Sequence, residues 1–207
     1  ELDPKDEDFI SHIPKGSIVF PILHGKNGED GVVQAMLEAA NLPYLGSGVE
    51  VSRACFDKAK TRQAFADAHL PIARGDSVTE TSYVTHPLAL GPHVLKVNQG
   101  GSSIGTLLVR DPSAVSAQQI KEIFMLGKEA VIEELVEGVE ITVPILDGKA
   151  LPVIEIQPPQ NEEFDCLNKY NGKSKELCPP VSIDAATQEQ AQIYAEQAHQ
   201  ALGCRHL

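Results

Sequence analysis

Between two apolar runs, His93 to Val97 and Gly105 to Val109, the chain carries the loop Asn98-Gln-Gly-Gly-Ser-Ser-Ile-Gly105. A flexible turn of this composition exposes backbone N–H groups and serine hydroxyls that can wrap the phosphates of a nucleotide. The same residues also suit a plain hairpin turn. Lys96, on the run leading into the loop, favours the phosphate reading because it places a point charge beside it. The pattern is neither G-x-x-x-x-G-K-[ST] nor a G-x-G-x-x-G that opens a helix, which speaks against the P-loop and dinucleotide-binding fingerprints. Lys58, in Phe56-Asp-Lys58, is either a second phosphate contact or a solvated charge on a helix. Glu133 and Glu134, with Glu140 following, crowd like charges unless a cation, ribose hydroxyls or a base amine absorbs them. Otherwise they form an acidic surface edge.

His24 closes an apolar run and is followed by Glu29 and Asp30, at the position where open α/β sheets bind ligands. Both acidic residues also suit the first turn of a helix as caps. Lys169-Tyr170 sits in a long polar loop, the kind of segment that forms a lid over chemistry from which water must be excluded. Cys55, Cys166, Cys178 and Cys204 are widely spaced, without a C-x-x-C pair or histidines at zinc-ligand spacing. They read as free thiols in a reducing compartment rather than as two bridges. A thiol enzyme built on Cys166 or Cys178 would need a histidine partner that no local motif supplies.

The elements that must position these groups follow from periodicity. Ser17 to Leu23 is a short β-branched run bounded by glycines, expected as a buried strand of a parallel sheet. A helix with Val32, Val33, Met36, Leu37 and Ala40 on one face comes next, and Leu42 to Gly48 reads as a strand and glycine loop. The unit is therefore strand, loop, helix, strand, part of an open α/β domain. Val51 to about Leu70 is expected as one helix ending before Pro71. Two strands then flank the glycine–serine loop, Asp111-Pro-Ser caps a helix around Ala114 to Phe124, and Ala130 to Val136 is a strand. Glu140 to Leu146 and Leu151 to Ile156 form a hairpin about Asp147-Gly148. A polar loop from Pro158 to Pro180 leads to a helix from Ala185 to Leu202.

With 207 residues, 42% of them hydrophobic, the chain can bury one sizeable core or two small ones. A net charge of −12 with no basic patch disfavours nucleic acid as a partner. No apolar run approaches the roughly 20 residues needed to span a bilayer, so a membrane role is not expected either.

In order and spacing these motifs resemble the D-alanine-D-alanine ligase family of the ATP-grasp fold. The matching stretches are Val19 to Gly31, Pro43 to Gly48, Asp57-Lys58, Val94 to Val97, Gly101 to Gly105, Val131 to Glu134 with Gly138 to Glu140, Lys169-Tyr170, Cys178-Pro179 and Ala201 to Cys204. The resemblance implies an α/β chain in three parts. Residues 1–52 would belong to an N-terminal open α/β domain, 53–137 to a central ATP-grasp subdomain with the loop, and 138–207 to the first part of a C-terminal ATP-grasp subdomain with the lid. It implies that Lys58, Lys96, Ser102 and Ser103 contact ATP phosphates. Glu133, Glu134, Leu135 and Val136 would hold the adenine and Glu140 the ribose. His24 and Glu29 would lie near the first D-alanine, and Tyr170 would reach from the lid toward Ser102 while Lys169 meets the γ-phosphate. Ser102, Lys169 and Tyr170 would then be the catalytic set. The implied reaction phosphorylates one D-alanine carboxylate with ATP and Mg2+, and the amine of a second D-alanine attacks the acyl phosphate, making a precursor of peptidoglycan in a bacterial cytoplasm. The resemblance also implies a homodimer.

Lys-Tyr at this place goes with an amine nucleophile, whereas relatives that make the D-alanyl-D-lactate ester carry a different loop. The chain ends before the R-x-D strand and N-E-x-N segment that supply the family's oxyanion arginine and magnesium ligands. It begins after the first strand and its glycine-rich loop. It is expected to be inactive alone, which leaves a non-catalytic nucleotide-binding module as the competing reading.

Overall fold

A computed structural model describes residues 8–159, 168 and 171–206. In the N-terminal part, a 3₁₀ turn at Phe9–His12 precedes an extended segment whose Val19 bridges Tyr44 in parallel. The bridge is made by Val19 N–H donating to the Pro43 carbonyl (2.8 Å) and Leu45 N–H to the Val19 carbonyl (2.9 Å). Helix α1 (Val32–Ala39) lays Val33 and Leu37 on Tyr44, with Ile10, Ile13, Val19, Leu23 and Leu42 around them. The expected buried strand is corrected here. Ile18, Phe20 and Ile22 are 69%, 56% and 74% exposed, because period-two alternation sends them to the face that α1 does not cover.

The single helix expected from Val51 to Leu70 is two, α2 (Val49–Phe56) and α3 (Lys58–Asp67). Asp57 breaks them. Its backbone is extended and its carboxylate accepts the Lys60 N–H, so it acts as N-cap to α3. Likewise, the helix expected from Ala114 starts later, as α5 (Ala117–Leu126), where Ser116 and Gln119 form a reciprocal capping box. Residues Pro112–Ala114 make only a 3₁₀ turn.

Four strands form the central antiparallel sheet: β1 (Gly75–Val78), β2 (His93–Val97), β3 (Thr106–Val109) and β4 (Ala130–Glu134), in the order β1-β4-β2-β3. Strand β1 and the short helix α4 (Glu80–Tyr83) were not anticipated, since Gly75-Asp-Ser-Val78 has no apolar run to mark it. The register puts Leu95, Val97, Ala130 and Ile132 on one face with Val78, under Ile123 of α5 and Tyr83 of α4. His93 is fully buried there. Its Nε2 meets the Tyr83 hydroxyl at 2.9 Å and its Nδ1 the Gly91 carbonyl at 2.7 Å, so the buried ring leaves neither nitrogen unpaired. The other face carries Val94, Lys96, Val131 and Glu133.

Beyond the sheet, β5 (Glu140–Thr142), β8 (Ile154–Gln157) and β9 (Lys175–Leu177) pair in the order β5-β8-β9, while β6 (Ile145–Leu146) and β7 (Lys149–Ala150) close a separate hairpin. Its turn, Asp147-Gly148, has φ of 50° and 72°, as the sequence predicts for this pair. Pro144 and Pro152 interrupt the longer strands that alternation predicts, because proline offers no ladder N–H. Strand β9 lies inside the expected polar loop. Buried Glu155 fastens the following segment by accepting from the Ser182 hydroxyl (2.7 Å) and the N–H groups of Val181 (2.9 Å) and Ser182 (2.8 Å). Helix α6 (Ala185–Leu202) has the predicted bounds, with Asp184 as N-cap and Gly203 in the left-handed conformation at its end. After it, Arg205 Nε donates to the Gly46 carbonyl (3.0 Å) and His206 Nδ1 accepts from Gly46 N–H (3.0 Å), tying the tail to the N-terminal part. Among the described residues no helix is long and apolar enough to cross a membrane.

Candidate active site

The glycine–serine loop is clamped from two sides. From α3, the Lys58 ammonium donates to the Gly100 carbonyl at 2.8 Å, and the Ala59 N–H to the Asn98 side-chain oxygen at 2.9 Å. Buried Asp57 accepts from the Asn98 amide at 3.0 Å and the Gln99 amide at 3.3 Å. Burial would raise the Asp57 carboxyl, but these bonds and the Lys60 N–H outweigh it and hold it below the usual range. From the N-terminal part, Glu29 accepts the Gly25 N–H, and a Cβ built on Gly101 would meet Glu29 Oε2 at 3.2 Å and Gly25 Cα at 3.4 Å. The loop tip therefore packs against the His24–Glu29 turn so closely that a side chain at 101 would crowd it. Ser102 and Ser103 both take positive φ, 54° and 59°. Two consecutive non-glycine residues in the left-handed region cost of order 1–3 kcal/mol each and persist where the surroundings dictate them.

Lys96 projects from β2 into the same region, on the face shared with Glu133. Its ammonium lies 2.6 Å from Glu133 Oε2, while Arg62 Nη1 binds Oε1. Arg62 is itself fixed by donating Nη2 to the carbonyls of Ala73 (2.9 Å) and Gly75 (3.0 Å). Burial alone would raise the Glu133 carboxyl; the bond and charge of Lys96, then the charge of Arg62, overcome it and keep the group ionised. The Lys58 ammonium is pushed down, first by burial and then by the charge of Lys96. Two ammonium groups thus stand close together beside the loop, Lys58 on the Gly100 carbonyl and Lys96 on Glu133.

Glu134 does not share the Lys96 and Arg62 cluster around Glu133. Alternation turns it to the opposite face, where Arg74 N–H donates to it at 2.9 Å and Arg74 Nε stands 3.5 Å from its other oxygen. The crowding expected of adjacent carboxylates is thus resolved by two faces and two arginines of the chain itself. Leu135 is half-buried, Val136 is 67% exposed and Glu140 opens β5 beyond them. Asp30 accepts from Asn27 N–H (2.9 Å) and Val32 N–H (3.2 Å), so it organises the turn into α1. Lys169 and Tyr170 lie outside the described residues, as does Cys166.

A cleft of about 910 Å³ lies beside the loop, lined by His24, Lys26 and Asp30 of the N-terminal part, by Asp57 and Lys60, by Gln99, Gly101 and Ser102 of the loop, and by Leu126 to Glu129, among others. Lys58, Lys96 and Glu133 do not line it. Among the described residues no group of three or more His, Cys, Asp or Glu is placed to hold a metal ion. Arg62 went unmarked by any motif. Its place one helical turn after Lys58 on α3 is the spacing that could have found it.

Residues 68–207 match the family model described as D-ala D-ala ligase C-terminus, and residues 3–47 the one described as D-ala D-ala ligase N-terminus. The chain belongs to the D-alanine-D-alanine ligase family. It is 35% identical over 96% of its length to a protein of Xanthobacter autotrophicus named D-alanine--D-alanine ligase, of which it spans 64%. Among solved structures it is similar to the VanG D-Ala:D-Ser ligase of Enterococcus faecalis (30% identity, TM-score 0.77, 93% of this chain and 58% of that one). It is also similar to the D-alanine--D-alanine ligase of Bacillus anthracis complexed with ATP (28% identity, TM-score 0.75, 96% and 64%). Family members of this kind share the ATP-grasp fold, and the chain has it: a central antiparallel sheet with its loop, followed by a second sheet and the long helix.

Proposed function

We propose that these residues form the nucleotide- and first-substrate-binding part of an ATP-dependent ligase that joins two D-alanine molecules for peptidoglycan precursor synthesis. The observation that carries the reading is the convergence of Lys58, Lys96 and the Ser102–Ser103 loop, with Glu29 packed against the loop's far side. Lys58 and Lys96 would hold the phosphates, with the loop's N–H groups and the Ser102 and Ser103 hydroxyls closing over them. Glu133, kept anionic by Arg62 and Lys96, would accept from the adenine amine, with Glu134, Leu135 and Val136 beside it and Glu140 at the ribose. The His24–Glu29 turn would orient the first D-alanine across the loop, so that its carboxylate faces the transferred phosphate. Lys169 and Tyr170 would come from the lid to the γ-phosphate and to Ser102. Magnesium would supply charge to neutralise the transferred phosphate.

In this reading residues 1–52, 53–137 and 138–207 are the three parts of the chain, the protein works in the cytoplasm, and two copies pair as a homodimer. Its likeness to a D-Ala:D-Ser ligase supports a second reading in which the fold and nucleotide site are kept and the second substrate differs.

Titration calorimetry with ATP tests the site. Lys58→Met and Lys96→Met are each expected to weaken ATP binding at least about tenfold, as loss of one charge-assisted contact implies, while both proteins keep their circular dichroism. Unchanged affinity in both variants would place the phosphates elsewhere and overturn the assignment.

A further inference from the structure

Cys55, near the end of α2, and Cys204, just past the end of α6, are 149 positions apart, yet their sulfurs stand 3.6 Å from each other. Both are free thiols, Cys55 exposed and Cys204 half-buried. Cys204 also lines a cleft of about 650 Å³ with His199, Arg205 and His206, which gives a small reagent a way in. Neither cysteine touches the nucleotide site, so nothing in the proposed reaction accounts for the pair. The surroundings favour ionisation of one partner. The hydrogen bond from Cys55, followed by that from the Ser47 hydroxyl and the charge of His199, outweighs burial and draws the Cys204 thiol down to about 6. The same bond pushes Cys55 up. A thiolate with a second thiol in contact is the arrangement of redox-active cysteine pairs.

We propose that Cys204 and Cys55 form a peroxide-reactive dithiol site, in which Cys204 is the attacking sulfur and Cys55 the resolving one. The Cys204 thiolate attacks one oxygen of a peroxide; the S–O bond forms as the O–O bond breaks, and the departing hydroxide takes up a proton and leaves as water. Cys55 then gives up its proton and attacks the Cys204 sulfenic acid. The S–S bond forms as the S–O bond breaks, and the oxygen leaves as a second water. Two thiols have lost two protons and two electrons, and hydrogen peroxide has been reduced to two waters. Side-chain rotation must bring the sulfurs from 3.6 Å to about 2.05 Å. The bridge would fasten α2, two residues before the Asp57 cap, to the tail that already binds Gly46.

The site is independent of the ligase reading, and its test uses no ATP. The reduced full chain is treated with a small excess of hydrogen peroxide, alkylated, digested without reductant and analysed by mass spectrometry. A Cys55–Cys204 peptide pair, two hydrogens lighter and restored by dithiothreitol, is expected to account for most of the lost thiol. In Cys55→Ser, Cys204 is expected to stop at a sulfenic acid that dimedone traps, and in Cys204→Ser the loss of the Cys55 thiol is expected to slow about tenfold. Separate over-oxidation of the two cysteines in the wild-type chain, or bridges chiefly to Cys166 or Cys178, would overturn the proposal. The rate of Cys204 alkylation against pH keeps the question open to refutation if a variant does not fold. A midpoint near 6 is expected in the wild-type protein, and one at the ordinary thiol value of about 8.5 would refute the role of Cys204.

Discussion

Replacing Arg62 by alanine tests whether the chain depends on its own cations to keep Glu133 in place. The side chain loses one charge-assisted bond to a carboxylate and two bonds to the carbonyls of Ala73 and Gly75 at the start of β1. Both side chains of the ion pair are only 15% exposed, so solvent replaces little of what is lost. Lys96 still neutralises Glu133, which keeps the cost below that of an orphaned buried charge. All three bonds have a charged donor and a typical contribution of about 1.5–3 kcal/mol each, but Glu133 stays paired and water can reach the freed carbonyls in part, giving a loss of about 3 kcal/mol. For a chain of this size that lowers Tm by about 6–12 °C. Thermal unfolding of Arg62→Ala, Glu133→Gln and the double variant measures it. The cycle is expected to show a coupling of about 1–2 kcal/mol, because the two side chains touch. Arg62→Lys is expected to fall between, keeping the charge but not the three-way fork. A shift below about 2 °C, or strictly additive variants, would refute the claim that Arg62 and Glu133 act as a unit.

Three further outcomes follow from the fold. Glu155 is held at about 2 by the Ser182 hydroxyl, the Gln157 amide and two backbone N–H groups, against about 4.3 in an unfolded chain. Its contribution is therefore full above about pH 4.3 and disappears as pH falls toward 2; the Tm gap between the wild-type chain and Glu155→Gln should close across that window, and a gap independent of pH would contradict it. Gly75→Ala places a methyl group against the Ile132 carbonyl and 2.9 Å from Glu133 Cα. Strand β1 must move away from β4, at a cost of about 1–3 kcal/mol in denaturant unfolding; a neutral result would show that the edge is looser than described. Leu37→Ala empties a fully buried position between α1 and Tyr44, and chemical denaturation is expected to show a loss of about 2–5 kcal/mol. An insensitive midpoint would mean that this cluster does not unfold with the rest.

Legibility in the sequence tracked how local each signal is. The long helix α6 and the turn at Asp147-Gly148 carry their caps and special dihedrals within a few residues, and the chain follows them. The phosphate reading of the glycine–serine loop and Lys96 rests on signals of the same local kind. What stayed hidden depends on residues far apart. Asp57 reads as one more polar residue in a helix until Asn98 and Gln99 arrive to bind it. Arg62 looks like a surface charge, and only β1 and β4 give it partners. Glu133 and Glu134 are neighbours in sequence and strangers in space, a separation that alternation fixes once the strand register is known. The strand expected at Ser17 to Leu23 shows the converse failure: its composition is that of a buried strand, but burial needs covers on two faces, and α1 supplies one. Cys55 and Cys204 could not have been paired by spacing, because their contact is made by the packing of α2 on the end of α6.

The central claim is that the lysine pair and the glycine–serine loop beside it serve ATP-dependent joining of D-alanine. The most direct measurement is phosphate release from ATP by the polypeptide carrying these residues, with and without D-alanine, with mass-spectrometric detection of D-alanyl-D-alanine and Lys96→Met as control. The account predicts D-alanine-dependent phosphate release and one dipeptide per phosphate, both lost in Lys96→Met. Phosphate release indifferent to D-alanine, or dipeptide formation that survives Lys96→Met, would contradict it.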